Sequence, residues 1–141
     1  MEGPRLYVMN GVFVVGAGAL LWLLVTWASP WNTQRYVGTA LAALGISLIG
    51  VARYQLGKSF SVRAEAHHLV TTGLYSKIRN PIYVFGIVML FGLTLVLQVR
   101  MMWVLLVVAV VAQTIRARRE ARVLEGAFGD AYRDYRRKTW F

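Results

Sequence analysis

His67-His68-Leu69-Val70-Thr71-Thr72-Gly73-Leu74-Tyr75-Ser76-Lys77-Ile78-Arg79-Asn80-Pro81-Ile82-Tyr83 is a polar, turn-rich stretch set between long apolar runs. It carries both histidines of the chain, a glycine free to take a positive φ, and an Asn-Pro step that discourages helix before the proline. Apolar helices need only short connections. A long polar connection crowded with ligand-binding side chains therefore points to work beyond linking.

Outward from this stretch the chain reads as helical spans. On its C-terminal side an apolar run covers residues 82–99, with Pro81 suited to the first helical turn, where its missing N–H costs nothing. Gln98-Val99-Arg100 forms a tight hairpin, and a further span covers residues 101–115. That last segment would rise only about 22 Å, short of a ~30 Å hydrocarbon core, so the helix is expected to run on to about residue 127 as a partly immersed rod. Phe128-Gly129 reads as its stop, and Asp130 as the N-cap of a short final helix through Lys138. Tyr132, Tyr135, Trp140 and Phe141 give this tail an aromatic side suited to a membrane interface.

On the N-terminal side lie spans over residues 36–52 and 8–28. The 8–28 run is too long for a cleaved signal core and is followed by no small-x-small site, so it is expected to remain as a span. Ser29-Pro30-Trp31-Asn32 reads as an interfacial turn between the two. Gly38, Ala42 and Gly45 share one helical face, as small residues do where helices approach closely in lipid, and as ordinary membrane composition also produces. The expected fold is all-α, a single membrane domain of four transmembrane helices. The 60–83 loop and the 116–141 tail form a pocket at one end.

Composition agrees. The 141 residues are 57% hydrophobic with a formal charge of +10, and the mean hydropathy is +0.52. So apolar a chain points to a membrane, and its basic loops to anionic headgroups or an anionic substrate rather than to nucleic acid. With four spans both termini share a side with the 60–83 loop. That side holds Arg5, Arg53, Lys58, Arg63, Lys77, Arg79 and the basic residues after Arg100, leaving only Arg35 and Arg100 opposite. The positive-inside rule places loop, tail and termini in the cytoplasm. The absence of cysteine excludes disulfides, thiolate catalysis and Cys-based metal sites.

Two polar sets therefore meet on the cytoplasmic face. Arg116 and Glu120 are four apart and stack on one helix face. A surface ion pair worth under about 1 kcal/mol has the same spacing. His67 and His68 are adjacent and lack a further ligand at metal-binding spacing, so no metal site is expected. No serine lies in a nucleophile elbow, and no glycine-rich phosphate loop is present. The residues alone support a basic, His- and Tyr-bearing pocket beside lipid, open to an anionic or nucleotide-like ligand.

His67-x-Leu69-Val70-Thr71-x-Gly73-x-Tyr75-x-x-x-Arg79-x-Pro81-x-Tyr83 resembles the signature of the isoprenylcysteine carboxyl methyltransferase family, within the wider phospholipid methyltransferase group. Arg116-x-x-x-Glu120-x-x-x-Leu124-x-x-x-Phe128-Gly129-x-x-Tyr132-x-x-Tyr135 is similar to the family's C-terminal block in order and spacing. Two blocks in register, separated by one apolar hairpin, are more specific than either alone.

The resemblance implies S-adenosylmethionine as methyl donor and a lipophilic acceptor arriving through the bilayer. It implies that His67, Leu69, Val70, Gly73 and Tyr75 shape the donor pocket, with Asn80, Pro81 and Tyr83 beside them. Arg79 would hold the donor's carboxylate or steady the loop, Glu120 would accept from ribose hydroxyls or the ammonium group, and Arg116 would orient an anionic acceptor. Tyr83, Tyr132 and Tyr135 would close the pocket. The chain departs from the family at Asn80, where His is common, and at Ala121, where a second Glu is common. Asn80 cannot titrate, and Ala121 leaves Glu120 to act alone. Acceptors consistent with this reading are an isoprenylcysteine-like carboxylate, a lipid amine and a small hydrophobic thiol. An NADPH-dependent membrane reductase and a non-catalytic scaffold are the competing functions, and so small a bundle leaves self-association open.

Overall fold

The computed structural model describes residues 30–57 and 69–141, together with positions 11, 14–20, 22, 23 and 26. Those N-terminal positions are helical where described, within the expected first span; its bounds and residues 58–68 lie outside the described residues.

Helix α1, Thr33–Leu56, begins where the Asn32 side chain accepts from the Arg35 N–H at 2.9 Å, filling one of the donors a helix start leaves open. It runs four residues beyond the expected 52, because Arg53, Tyr54 and Gln55 continue the helix past the apolar run, and it stops at Gly57 with φ 51°. A 3-10 turn, Gly73–Ser76, follows. Helix α2, Pro81–Leu97, starts on the buried Pro81 and ends at Gln98 in the left-handed region. Helix α3 is continuous over Arg100–Phe128, as the short apolar part of the last span demanded. It closes at Gly129 with φ 51°, and helix α4 covers Asp130–Lys138. Asp130 is the first residue of α4 rather than its cap. Gly129 occupies the cap position, because only a residue at ease with positive φ can join two helices this closely.

The most extensive packing joins α1 to α2, antiparallel. Small residues are its cause. A Cβ on Gly38 would meet the Gly92 carbonyl oxygen at 2.7 Å, and one on Gly45 would meet the Met89 nitrogen at the same distance. Gly38, Ala42 and Gly45 thus form a contact face, and Gly92 on α2 is its counterpart. At the far end Asn32 and Gln98 bond reciprocally, Nε2 of Gln98 donating at 3.0 Å. There Arg35, fully buried, lies 4.5 Å beneath the Trp31 ring.

Among the described residues the fold is all-helical, and two helices, α1 and α3, are long and apolar enough to cross a membrane. Helix α2 is apolar but has 17 residues. Along α3, Met101, Val104, Leu105, Val107, Val108 and Val111 are exposed, an apolar surface that water would not stabilise and hydrocarbon would.

Candidate functional site

Antiparallel packing brings the end of α1, the start of α2, the end of α3 and all of α4 to one end of the molecule. The 69–80 loop is anchored there on three sides. Gly73 (φ 61°) presses against the Gln55 side chain of α1, which a Cβ would push aside, and the Gln55 Oε1 accepts from the Leu74 N–H at 2.7 Å. The Tyr135 hydroxyl of α4 donates to the Tyr75 carbonyl at 2.7 Å in a buried bond. The chain's last residues then pair with the loop backbone. Arg79 N–H donates to the Trp140 carbonyl at 3.2 Å, Asn80 N–H to the Phe141 carbonyl at 3.1 Å, and Trp140 N–H to the Lys77 carbonyl at 3.0 Å.

Across the α2–α3 seam, the Tyr83 hydroxyl donates to Glu120 Oε1. Arg116 Nε donates to the same oxygen at 3.3 Å, and its guanidinium lies 5.7 Å from the Tyr83 ring centroid. Arg116 and Glu120 are therefore more than a solvated helix pair, since Tyr83 ties them to the start of α2. Glu120 also bears on the loop: burial pushes the Tyr75 phenol above its ordinary range, and Tyr135 and the Glu120 carboxylate raise it further. Burial likewise raises Tyr132, with Arg79 and Arg136 opposing, and pushes Tyr135 up to about 12.

On the adjacent face of α3 a cavity of about 230 Å³ is lined by Thr114, Ala117, Arg118 and Ala121. Arg79 and Asn80 from the loop, and Tyr132, Arg136 and Phe141 from the tail, complete it. Its lining side chains include the guanidinium groups of Arg79, Arg118 and Arg136 and no Asp or Glu. Arg79 Nε is buried without a hydrogen-bond partner, a donor left open to a ligand.

Of the residues singled out in the sequence, Gly73, Tyr75, Arg79, Asn80, Pro81, Tyr83, Arg116 and Glu120 converge on this end. Leu69 and Val70 lead into the turn, half-buried. His67 lies outside the described residues. Tyr132 and Tyr135 are buried against the loop and α3, which corrects the expectation of an aromatic side turned to the interface; Trp140 alone of the four is exposed. The Tyr135 hydroxyl satisfies loop backbone and Tyr132 fills part of the cavity wall, which a lipid-facing position would forgo. Sequence reasoning missed Gln55, Thr114, Arg118 and Arg136. Gln55 sits in a helix end with no motif partner, whereas Thr114, Ala117 and Ala121 do recur at helical spacing.

An all-helical protein with membrane-length helices and a polar, tyrosine-rich site at one end is the class these observations define. The model of the phospholipid methyltransferase family matches residues 33–131, from the first residue of α1 into α4. The chain belongs to the phospholipid methyltransferase family, and membership implies methyltransferase activity at a membrane. Comparison with curated proteins returns no match.

Proposed function

We propose that this protein transfers a methyl group from S-adenosylmethionine to a lipophilic acceptor that reaches the site through the bilayer, with an isoprenylcysteine-like carboxylate as the first acceptor to test. The observation that carries the reading is the junction of Glu120, Tyr83 and Arg116 with the Tyr75 loop and the tail, two segments distant in sequence.

The donor set suits the group. Glu120 is a carboxylate able to accept from ribose hydroxyls or an ammonium, and Arg79 offers an open donor for a carboxylate. S-adenosylmethionine, when bound, supplies an electrophilic methyl on a sulfonium, so a carboxylate acceptor needs alignment more than a strong base. Leu69, Val70, Gly73 and Tyr75 shape the adenosyl side, with His67 assigned there by the motif. Asn80 and Pro81 set the loop's exit. Arg116 orients the acceptor's anionic head, bidentate geometry being its strength. Tyr83 holds Glu120 in place. Burial of Tyr75, Tyr132 and Tyr135 keeps water from one wall.

The family's description names phospholipids, which makes a lipid amine the second acceptor class. The arginine-lined cavity favours an acceptor with an anionic head in either case. The exposed apolar face of α3 is then lipid-facing, the chain crosses the membrane several times, and loop, tail and both termini lie in the cytoplasm.

Purified protein in lipid vesicles, given methyl-labelled donor and a panel of lipophilic carboxylates, amines and thiols, is expected to label one class. Label in none of them would overturn the reading.

A further inference from the structure

One polar side chain in the apolar part of α3 has no role in the site as described. Gln113 lies seven residues before Glu120, two helical turns or ~10 Å deeper along the helix. It faces the same neighbour. Glu120 meets α2 at Tyr83, and Gln113 meets it at Gly86, where a Cβ would come within 3.4 Å of the amide nitrogen. Gly86 is buried, and its lack of a side chain brings the α2 backbone up to the amide. The Gln113 Oε1 is itself buried, and it accepts no hydrogen bond. Thr114, one residue on, satisfies its own hydroxyl by donating to the Val110 carbonyl at 2.8 Å, so the unmet group is specific to Gln113.

Inside a membrane seam such a group is costly. Water is scarce there, and an unpaired amide acceptor forfeits a full hydrogen bond. Intramembrane polar side chains that face a helix interface mark substrate paths or helix contacts. The Gln113 amide packs on Gly86, yet its Oε1 takes no hydrogen bond from any described residue, so that contact leaves the acceptor unused.

We propose that Gln113 recognises the methyl acceptor. Its carbonyl takes a hydrogen bond from an N–H or O–H that the acceptor carries on the bilayer side of the atom to be methylated. This rests on the methyltransferase reading and adds a rule to it. Lipophilic acids bearing such a donor are selected, and plain acids of the same chain length are not. Gln113 would thus set specificity without touching the methyl donor.

The test compares two acids of equal hydrophobic chain. N-acetyl-S-farnesylcysteine has an amide N–H beside its carboxylate, and S-farnesyl-3-mercaptopropionate has none. Binding of each to the full-length protein in detergent, with S-adenosylhomocysteine present, is measured by calorimetry for wild type, Gln113→Leu and Gln113→Met. Wild type is expected to prefer the amide-bearing acid by roughly tenfold, the size of one hydrogen bond, and both variants to bring the ratio near one. S-adenosylhomocysteine affinity should stay unchanged, and thermal stability should hold or rise, because a group without a partner has been removed. A wild-type ratio near one, a ratio preserved in both variants, or failure of both acids to bind would each overturn the proposal. Intact S-adenosylhomocysteine binding alongside such a failure would leave the donor site standing, and its loss in wild type would bring down the methyltransferase reading itself.

Discussion

Tyr135 shows how much of the site is held by single side chains. Its hydroxyl is the donor in a buried bond to the Tyr75 carbonyl, so the phenol must stay protonated for tail and loop to remain joined. Burial first, and then Tyr132, push its pKa up to about 12, against the nearby Arg79. The folded value stands above the ordinary value of 10.0. Its contribution is therefore complete below about pH 10 and is lost as pH rises through about 12. Tyr75 and Tyr132 are raised too and act in the same direction. Unfolding followed by circular dichroism should show stability falling across that window. Tyr135→Phe should flatten the fall and lower stability at neutral pH by about 1 kcal/mol.

At this scale the sequence was legible where residues repeat at a fixed spacing. Glu120 and Tyr83 could be named from motif spacing, but their bond could not, because the two lie on different helices. Gln55 and Gln113 are isolated amides in helical runs. Nothing in their neighbours says that one will brace Gly73 and the other will face Gly86.

At the scale of elements, α1 and α2 hold together by backbone approach rather than by large side chains. A Cβ on Gly92 would lie 2.6 Å from the Gly38 carbonyl oxygen, and backbone cannot swing aside as a side chain can. Gly92→Ala should therefore destabilise by about 1–3 kcal/mol in a detergent melt, although alanine is the better helix former. An unchanged or higher melting temperature would mean that the helices are not pressed together there. The Gly38, Ala42, Gly45 face was readable from spacing, and its partner was not. A glycine inside an apolar run reads the same whether it meets a neighbour or lipid. The continuity of α3 was legible for a physical reason: its apolar part alone is too short to span, and no proline intervenes before Gly129, the single Gly126 being tolerated within the helix. The inward turn of Tyr132 and Tyr135 was not, since an amphipathic aromatic side suits an interface and a pocket wall equally well.

For the whole molecule, topology is what gives the site its setting. The chain has no cysteine, so single cysteines report position without background. Arg100→Cys, at the start of α3, should react with a membrane-impermeant maleimide in intact cells, and Lys138→Cys only after lysis. The opposite pattern would reverse the orientation, and labelling of both in intact cells would place the tail on the outer side.

The most direct measurement is calorimetric titration of the purified protein with S-adenosylhomocysteine, with NADPH as the contrasting ligand. Saturable binding of the first at one site, no heat from the second, and at least about tenfold weaker binding in Glu120→Ala are predicted. No binding of S-adenosylhomocysteine, or binding that Glu120→Ala leaves untouched, would contradict a donor pocket built across the α2–α3 seam.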